Sequence, residues 1–207
     1  MIDNHLNILG TGGHAKVILD IAKQTNQVIE AFYDDNSQIY NTNFNGYNII
    51  GPIKELTNKN AIIAIGNNKI RKEICNRVNK VKWKTLIHSA TIISENVVIG
   101  DGSLIVAGAI LQTCTIIGKH CIVNTNASID HDCVINDFVH ISPSATLCGN
   151  VSVGEGTHIG AGTTVIPNIK IGKWCVIGAG AVITKDVPDY SLVVGVPGRI
   201  IKTMDNE

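Results

Sequence analysis

The sequence predicts two fold classes in one chain: a small α/β domain over residues 1–82 and an all-β coil of short parallel strands over residues 83–207. An aliphatic residue occupies every sixth position of the second part, whereas the first part alternates strand-like and helix-like segments. The amino-acid composition is consistent with a coil of short strands, since hydrophobic residues make up 44% of the 207 residues and aromatic residues only 4%. The core must therefore be built from aliphatic and small side chains.

The first domain begins with a strand, a glycine-rich turn and a helix. Residues 6–9 are apolar, residues 10–15 read Gly-Thr-Gly-Gly-His-Ala, and residues 17–22 place apolar side chains, Val17 among them, on one helix face. Two further strands and a second helix are predicted at residues 28–33, 61–65 and 69–78. This alternation favours a small parallel sheet with helices on its faces.

The glycine-rich turn has the spacing of a dinucleotide-binding fingerprint. Gly10, Gly12 and Ala15 match its G-x-G-x-x-A variant, and Asp34 follows where a ribose-binding acid is expected. A tight turn that needs glycine only for its backbone is the alternative. Because the domain is too short for two mononucleotide-binding halves, a single half that binds a nucleotide-linked ligand is favoured. Candidate binding residues at the helix N-terminus and the strand ends are Gly12, Gly13, His14, Asp34, Asp35 and Asn67.

The second part is a continuous hexapeptide repeat. From Ile87 to Ile183 an aliphatic residue falls on each of 17 successive sixth positions. Four residues after each of them, from Thr91 to Val187, the side chain is small or β-branched. This period predicts short strands joined by tight turns, with three hexapeptides making a triangular coil of about 18 residues. Aromatic rings would not fit inside so narrow a prism.

Charge and cysteine usage exclude several functions. With 17 basic and 17 acidic residues the formal charge is zero, so the chain lacks the attraction that nucleic acids and anionic membranes exert on basic proteins. No apolar run approaches the roughly 18 residues that span a bilayer, and no secretory signal is visible. The six cysteines form no zinc-binding pattern, so we expect buried thiols, no metal and a cytoplasmic location.

Among the histidines of the repeat, His131 has the setting best suited to catalysis. It follows Ile129 by two positions, which takes it off the inward column, and Asp130 and Asp132 flank it. A carboxylate beside an imidazole fixes its tautomer and favours its protonated form, which suits a general base near neutral pH.

Coil arithmetic pairs residues that are distant in sequence. Gly149 lies 18 residues beyond His131, at the equivalent position of the next coil, where a backbone N–H without a side chain can approach closely. His140 and His158 are also 18 apart. For these two, histidines stacked at a corner are the alternative to a ligand contact.

Two small-residue turns share another column. Ala161 and Ala179 each lie inside a Gly-Ala-Gly sequence, which either leaves room for a ligand or simply makes a tight turn. Cys133 and Cys148 lie near His131, but Cys133 falls in the small-residue packing column, so an acyl-cysteine route is the less favoured chemistry.

Taken together, four motifs resemble those of a known family. They are the Gly-x-Gly-Gly-His turn, the Tyr-Asp-Asp of residues 33–35, the Ile-Gly-Asn-Asn-Lys-Ile-Arg of residues 65–71 and the Val-Gly-Val-Pro-Gly-Arg of residues 194–199. With the complete hexapeptide array, the chain resembles the bacterial sugar O-/N-acyltransferases. That group includes the UDP-4-amino-sugar (bacillosamine-pathway) N-acetyltransferases and sialic acid O-acetyltransferases.

The resemblance implies a fold and partners. It implies a Rossmann-like domain that binds a nucleotide sugar, followed by a left-handed parallel β-helix, an exception to the usual right-handed crossover. It also implies acetyl-CoA as co-substrate and a homotrimer with active sites between neighbouring β-helices.

The resemblance also assigns roles to residues. His131 matches the proton acceptor, Asp132 the acid that raises its basicity, and Gly149 the N–H that hydrogen-bonds the thioester oxygen. The family acid is often Glu, so the shorter Asp132 is a departure. Asn124, at the start of the segment 124–149 that contains these residues, is a candidate substrate contact. The positions that match coenzyme A contacts are His140, Ala161 and Ala179.

We therefore expect an acetyl-CoA-dependent N-acetyltransferase that acts on the 4-amino group of a nucleotide-linked 4-amino-4,6-dideoxy sugar, with UDP favoured, in bacterial cell-surface polysaccharide biosynthesis. O-acetylation of a sialic acid or related sugar is the alternative. The N-acetyltransferase is favoured because the glycine-rich turn is suited to binding a nucleotide. A zinc-dependent solenoid like the γ-carbonic anhydrases would need an H-x4-H spacing that is absent. The alternative of an NAD-dependent oxidoreductase is supported by the glycine-rich turn alone. The alternative of a non-catalytic scaffold protein leaves the His131-Asp132 pair unexplained.

Overall fold

The computed structural model describes residues 4–78 and 80–204. The chain divides into two compact units, Met1–Ser89 and Ala90–Glu207. The sequence placed the domain boundary between residues 82 and 83, and two short strands after residue 81 belong to the first unit. No helix of the described residues is long and apolar enough to cross a membrane.

The first unit has the predicted α/β class. Its elements in chain order are β1 (His5–Leu9), α1 (Gly13–Gln24), β2 (Val28–Tyr33), β3 (Asn43–Phe44), β4 (Tyr47–Asn48), β5 (Asn60–Ile63), α2 (Asn68–Arg77), β6 (Lys82–Trp83) and β7 (Leu86–Ile87). Strands β2, β1, β5 and β6 form a parallel sheet in that order. Because the strands are parallel, their carboxyl ends meet at one edge of the sheet, where ligands bind in open α/β folds.

Helix α1 buries a slightly different stripe from the one predicted. Ala15, Ile18 and Ala22 are completely buried, but Val17 is 37% exposed. Successive helix residues rotate by ~100°, which carries Val17 just past the edge of the buried stripe.

The segment between β2 and β5 holds structure that the sequence prediction lacks. Short 3-10 helices occur at Ser37–Ile39 and Ile53–Glu55, and β3 and β4 pair as an antiparallel hairpin. The hairpin turn is Asn45-Gly46, with φ of 51° and 93°. Asn-Gly is the dipeptide that such turns favour, so the signal for this hairpin was present in the sequence.

The second unit is a coil of two-residue strands that recur every six residues, followed by a longer hairpin. The repeat strands are β8 (Ile92–Ile93), β9 (Val98–Ile99), β10 (Leu104–Ile105), β11 (Ile110–Leu111), β12 (Ile116–Ile117), β13 (Ile122–Val123), β14 (Ser128–Ile129), β15 (Val134–Ile135), β16 (His140–Ile141), β17 (Thr146–Leu147), β18 (Ser152–Val153), β19 (His158–Ile159), β20 (Thr164–Val165), β21 (Lys170–Ile171), β22 (Val176–Ile177) and β23 (Val182–Ile183). The terminal hairpin is β24 (Ser191–Val194) and β25 (Arg199–Thr203).

Every third strand stacks in the same parallel sheet, so the coil has three faces. The β8 face continues through β11, β14, β17, β20 and β23; the β9 face through β12, β15, β18 and β21; the β10 face through β13, β16, β19, β22 and β24. Leu111, Ile129 and Leu147 are direct partners in this stacking, which confirms the predicted coil of 18 residues.

From β10 onward the interior of the coil is filled as the repeat predicts, but in the first coil Ile93, which was predicted to point inward, is 37% exposed. The inward aliphatic residues, such as Ile129, Leu147 and Val165, are completely buried. The small residues four positions later, such as Ala127 and Cys133, are buried as well. The prism is therefore packed with aliphatic and small side chains.

Turns between the faces form three edges. The His131 edge, between the β8 and β9 faces, includes turns 131–132 and 149–150. The Ala161 edge, between the β10 and β8 faces, includes turns 161–162 and 179–180. The Phe138 edge lies between the β9 and β10 faces.

The phenylalanine and tryptophan rings of the second unit lie at the Phe138 edge and not in the interior. His120 stacks on Phe138 with the ring centroids 5.1 Å apart and the planes within 3°. A Cβ on Gly156 would lie 2.4 Å from the ring of Trp174, so the glycine makes room for the ring of the next coil. The few aromatic residues of the repeat thus occupy corners, as a narrow prism requires.

Candidate active site

The His131 edge brings a histidine, a carboxylate and a glycine together. His131 Nδ1 donates to Asp132 Oδ2 at 2.7 Å, and the backbone N–H of His131 donates to Asp130 Oδ1 at 2.8 Å. Asp132 has φ of 59°, the left-handed conformation that this turn position adopts from Asn96 to Asn168. Because Nδ1 is bound to the carboxylate, the neutral imidazole presents the lone pair of Nε2 as its basic atom.

The carboxylates around His131 increase its basicity. The hydrogen bond to Asp132 raises the pKa of His131, partial desolvation opposes it, and the charges of Asp130 and Asp132 add to the rise. The two paired side chains stay open to solvent, with 55% and 60% of their surface exposed, so a substrate can reach the ring.

Gly149 lies directly against the imidazole of His131, one coil further along. The backbone N–H of Asn150 donates to the carbonyl of His131 at 2.9 Å, which ties the two turns together. A Cβ on Gly149 would lie 2.6 Å from both Cε1 and Nε2 of His131, so any larger residue would displace the ring. Gly149 is buried, and within residues 4–78 and 80–204 its N–H has no hydrogen-bond acceptor.

Two histidines stack on the β10 face. The rings of His140 and His158 lie 4.8 Å apart. Asn124 Nδ2 lies 3.2 Å from His140 Nε2, and Ser142 Oγ lies 2.8 Å from His158 Nε2. The structure thus places Asn124 and His140 together, while a contact of either residue with substrate or coenzyme stays a prediction.

The Gly-Ala-Gly turns lie on a different edge from His131. Gly162 and Gly180, which follow Ala161 and Ala179, have φ of 65° and 69°, and a Cβ on either would meet nothing within 4 Å. The Ala161 edge therefore has open space along it. In one chain the whole β8 face separates it from His131.

In the first unit, Asp34 fixes the glycine-rich turn. Its Oδ2 accepts hydrogen bonds from the backbone N–H and the hydroxyl of Thr11, at 2.9 and 2.7 Å. Gly12 and Gly13 open helix α1, and a Cβ on either would meet nothing within 4 Å. Sequence reasoning missed Thr11, whose role depends on β1 and β2 being neighbours in the sheet.

His14 is held in its neutral form. Burial, and then the nearby charge of Arg71, lower the pKa of His14 to about 4. Its Nε2 is buried and has no hydrogen-bond partner among the described residues. Arg71 is itself buried and donates to the carbonyls of Ile65 and Gly66 at 3.0 and 3.1 Å, which shapes the loop after β5.

The remaining candidates lie at the same end of the sheet. Asp35 accepts from the backbone N–H of Ile53 at 3.0 Å and forms an ion pair with Arg77, and both Asp34 and Asp35 line a cavity of about 270 Å³. Asn67 does not line that cavity, and its side chain caps α2 by accepting from the N–H of Ile70 at 3.1 Å. Arg77 was missed because nothing in its local sequence marks it.

Metal and thiol chemistry find little support in the described part of the chain. Residues 4–78 and 80–204 contain no group of three or more His, Cys, Asp or Glu side chains that could hold a metal ion. All six cysteines are free thiols, and burial raises the pKa of Cys133 to about 11. A thiol with so high a pKa is a poor nucleophile at neutral pH.

Family models match both units. Residues 5–78 match the PglD N-terminal domain, and residues 150–185 match the bacterial transferase hexapeptide with six repeats. The acetyltransferase domain of PglB from Neisseria gonorrhoeae FA1090 is 36% identical, with a TM-score of 0.89, over 96% of this chain and 100% of that one. The chain belongs to the bacterial sugar acyltransferase family. The α/β domain and the left-handed parallel β-helix expected for this family are both confirmed.

Two further proteins are similar to this chain, one over nearly its whole length and the other over about half of it. PerB from Caulobacter crescentus, solved with CoA and GDP-perosamine, is 31% identical with a TM-score of 0.88, over 96% of this chain and 97% of that one. UDP-N-acetylbacillosamine N-acetyltransferase from Bacillus subtilis (strain 168) is 42% identical over 110 residues, which are 48% of this chain and 50% of the relative.

The curated relatives extend well beyond the matched segments. The chain spans half of the Bacillus subtilis protein and 21% of the uncharacterized protein L142 of Acanthamoeba polyphaga mimivirus, to which it is 33% identical over 106 residues.

Proposed function

We propose that this protein is an acetyl-CoA-dependent N-acetyltransferase that acts on the 4-amino group of a nucleotide-linked 4-amino-4,6-dideoxy sugar. The observation that carries the proposal is the His131 edge. There the imidazole of His131, bound to a carboxylate, lies against Gly149, whose N–H has no acceptor among the described residues. A base and an oxyanion donor side by side are the two groups that acyl transfer to an amine needs. The names of the similar proteins, bacillosamine and perosamine acetyltransferases among them, support this class.

In the proposed reaction the sugar amine attacks the thioester carbonyl carbon, and the C=O electron pair moves onto the oxygen. His131 Nε2 takes a proton from the amine nitrogen, and Asp132 stabilises the imidazolium that forms. The N–H of Gly149 hydrogen-bonds the oxyanion of the tetrahedral intermediate. When the C=O bond re-forms, the C–S bond breaks and the thiolate of CoA leaves, taking up the proton from His131.

The Ala161 edge is the proposed path of the pantetheine arm of acetyl-CoA. The fit is supported by the empty space beside Gly162 and Gly180, where side chains would otherwise project. His140 on the neighbouring β10 face is the proposed polar contact for the same arm. We assign no metal a part in the reaction.

A homotrimer would bring the two edges together. The His131 edge and the Ala161 edge of one chain are separated by the β8 face, so they cannot line one narrow groove within a single β-helix. The His131 edge of one copy set beside the Ala161 edge of the next would form a complete site. Three such sites close a cyclic trimer, which is a common symmetry of oligomeric proteins.

The first unit is the proposed nucleotide site. The N-terminus of α1, opened by Gly12 and Gly13, offers backbone N–H groups to phosphate, and the neutral His14 lies beside it. The cavity that Asp34 and Asp35 line is the proposed site for the nucleoside, and Asn67, which caps α2 outside that lining, stays a proposed contact with the ligand. We favour UDP because the relative of 42% identity is named for a UDP sugar. The proposed setting is bacterial cell-surface polysaccharide biosynthesis in the cytoplasm.

A panel of acceptors tests the proposal. Release of the CoA thiol from acetyl-CoA is followed with UDP-, dTDP- and GDP-linked 4-amino-4,6-dideoxy sugars and with free sialic acid. Turnover is expected with the amino sugars, fastest with the UDP form, and His131→Ala should abolish it. Turnover with sialic acid alone would instead establish O-acetylation.

A further inference from the structure

The second helix of the first unit carries an arginine that solvent does not reach. Arg71 on α2 is 1% exposed and is one of the largest completely buried side chains of the described residues. A guanidinium is always charged and is almost never fully buried unless its donors are paired. Removing such a charge from water costs free energy, so its hydrogen bonds identify the segment that it stabilises.

The hydrogen bonds of Arg71 fix the segment that joins β5 to α2. Its Nη1 donates to the carbonyls of Ile65 and Gly66 at 3.0 and 3.1 Å, and its Nη2 donates to Asn68 Oδ1 at 2.8 Å. The planar fork of donors suits this arrangement, in which two nitrogens reach acceptors on different residues. Residues 65–68 are therefore held from the buried side by one side chain.

The same segment supports the glycine-rich turn after β1. Gly10 has φ of 104°, and a Cβ on it would lie 3.1 Å from Cγ1 of Ile65. The N–H of Ala64 donates to the carbonyl of Leu9 at 2.7 Å, which joins the two strand ends. Because Ile65 also lines the cavity proposed for the nucleoside, a shift of residues 65–68 would alter both the turn and the cavity.

Arg71 also acts on His14, in the first turn of α1. Burial lowers the pKa of His14 most, and the charge of Arg71 lowers it further, to about 4. The neutral ring has a single N–H. Its Nε2 is buried without a partner, whereas Nδ1 is accessible and forms no hydrogen bond within residues 4–78 and 80–204. A proton on Nδ1 can meet a ligand oxygen or water, while a proton on Nε2 would lack an acceptor, so Nδ1–H is the favoured tautomer.

We propose that Arg71 is a positioning residue of the nucleotide site. It fixes residues 65–68 beneath the glycine-rich turn and keeps His14 as a neutral ring that donates through Nδ1 to a phosphate oxygen. The N-terminus of α1 is the positive end of the helix dipole, so a neutral donor is also the form of His14 that this position favours. The proposal rests on the proposed nucleotide-sugar-dependent function.

Two substitutions separate the fork of Arg71 from its charge. Arg71→Lys keeps the charge but not the planar fork, and Arg71→Met removes both. With acetyl-CoA saturating, Arg71→Met should raise the KM for the nucleotide sugar about tenfold or more, because the segment and the ring are both released, while kcat and the KM for acetyl-CoA stay within about twofold of the parent. Arg71→Lys should raise the same KM by less, since it retains the charge.

Val78→Ala is the matched control. Val78 is buried at the other end of α2, in the core of the first unit, and does not line the cavity. Its variant should lose stability without a selective rise in the KM for the nucleotide sugar, which separates positioning from a general loss of folding. An equal rise in Val78→Ala, or an unchanged KM in Arg71→Met, would overturn the proposal.

Nuclear magnetic resonance reads the state of His14 in the parent, without any variant. The ¹⁵N shifts of the ring should show the Nδ1–H tautomer, and the ring should stay neutral from about pH 5.5 to about pH 8 because its pKa is lowered. The pKa of His14 should stay low in Arg71→Lys and rise in Arg71→Met, where the charge is lost. An Nε2–H tautomer, or a pKa at the ordinary value of 6.5, would overturn the role assigned to the ring.

A pair of amide substitutions tests which ring nitrogen donates to the ligand. The side-chain amide of asparagine falls near Nδ1 of the histidine that it replaces, and that of glutamine falls near Nε2. His14→Asn should therefore keep the KM for the nucleotide sugar closer to the parent's than His14→Gln does, and the reverse order would contradict donation through Nδ1. A parent protein that turns over no nucleotide sugar would refute the proposed function itself, whereas turnover with a KM that ignores Arg71 refutes the positioning role alone.

Discussion

His131 obtains its basicity from its neighbour in sequence and not from burial. The Nδ1–Oδ2 bond to Asp132 raises its pKa while the ring stays open to substrate. The contact is possible because Asp132 occupies the left-handed turn position, with φ of 59°. The shorter side chain that departs from the family's frequent Glu therefore still reaches the imidazole.

The first prediction is a shift in pH dependence. A general base acts in its neutral form, so kcat/KM should rise with pH through the raised pKa of His131 and level off above it. Asp132→Asn removes the charge that raises this pKa, so the acidic limb of the profile should move to lower pH, and the plateau should fall about tenfold or more because the base is weaker. Asparagine tolerates the left-handed conformation, so the turn is expected to persist.

Asp137→Asn is the matched control. Asp137 is a carboxylate at the Phe138 edge that accepts from the N–H of Lys119 at 2.7 Å and touches no proposed catalytic group. Its variant should keep the parent's acidic limb. An acidic limb that stays in place in Asp132→Asn would contradict the assignment of His131 as the base.

Local contacts were predictable at this scale, and contacts across the sheet were not. The sequence indicated the pairs His131–Asp132 and His131–Gly149, because adjacency and an 18-residue period define them. It gave no indication that Thr11 would bind Asp34, because that contact requires β1 and β2 to be neighbours.

At the scale of elements, the two-residue strands of the coil depend on burial for their stability. A strand of two residues makes too few hydrogen bonds to be stable alone, so its inward side chain must hold it against the coils on either side. Leu147 on β17 is completely buried, while its strand neighbour Thr146 is exposed. Substitutions at these two adjacent positions can therefore distinguish the contribution of core packing to stability from that of strand propensity.

The second prediction compares truncations at these two positions. Leu147→Ala should lower the free energy of unfolding by about 2–5 kcal/mol, because it leaves a cavity between stacked coils. Thr146→Ala should change it by no more than about 0.5 kcal/mol, as is usual for exposed positions. Both are measured by denaturant unfolding at one protein concentration. Equal losses in the two variants would contradict the packing account of the repeat.

At the scale of the whole molecule, the proposed base and the proposed path of the pantetheine arm lie on two different edges of the β-helix. The His131 edge carries the proposed base and the glycine N–H proposed as oxyanion donor, and the Ala161 edge carries the open space proposed for the pantetheine arm. A site composed of one edge from each of two copies would make the trimer necessary for catalysis.

The third prediction is complementation between two inactive variants. His131→Ala removes the base, and Ala161→Trp fills the proposed path of the coenzyme, so each homotrimer should be inactive. When the two are co-expressed, a site with His131 from one copy and Ala161 from the other is intact. Random mixing should then restore about a quarter of the parent's activity per site.

A pair of variants on one edge provides the control. Gly149→Ala places a methyl group against the ring of His131, so it damages the same edge as His131→Ala. Co-expression of these two should restore nothing. Recovery in this control, or no recovery with Ala161→Trp, would show that the active site is not shared as proposed.

The sequence by itself determined the two fold classes, the 18-residue coil and the pair of His131 with Asp132, because each follows from periodicity or adjacency along the chain. Only the tertiary structure decided that Val17 is exposed, that burial, together with the charge of Arg71, keeps His14 neutral, and that Lys185 and Arg199 share a cavity in the last coil. These depend on contacts between segments distant in sequence, which side-chain pattern alone does not specify. The last coil shows the limit most clearly, since its cavity exists where the repeat ends and the period no longer applies.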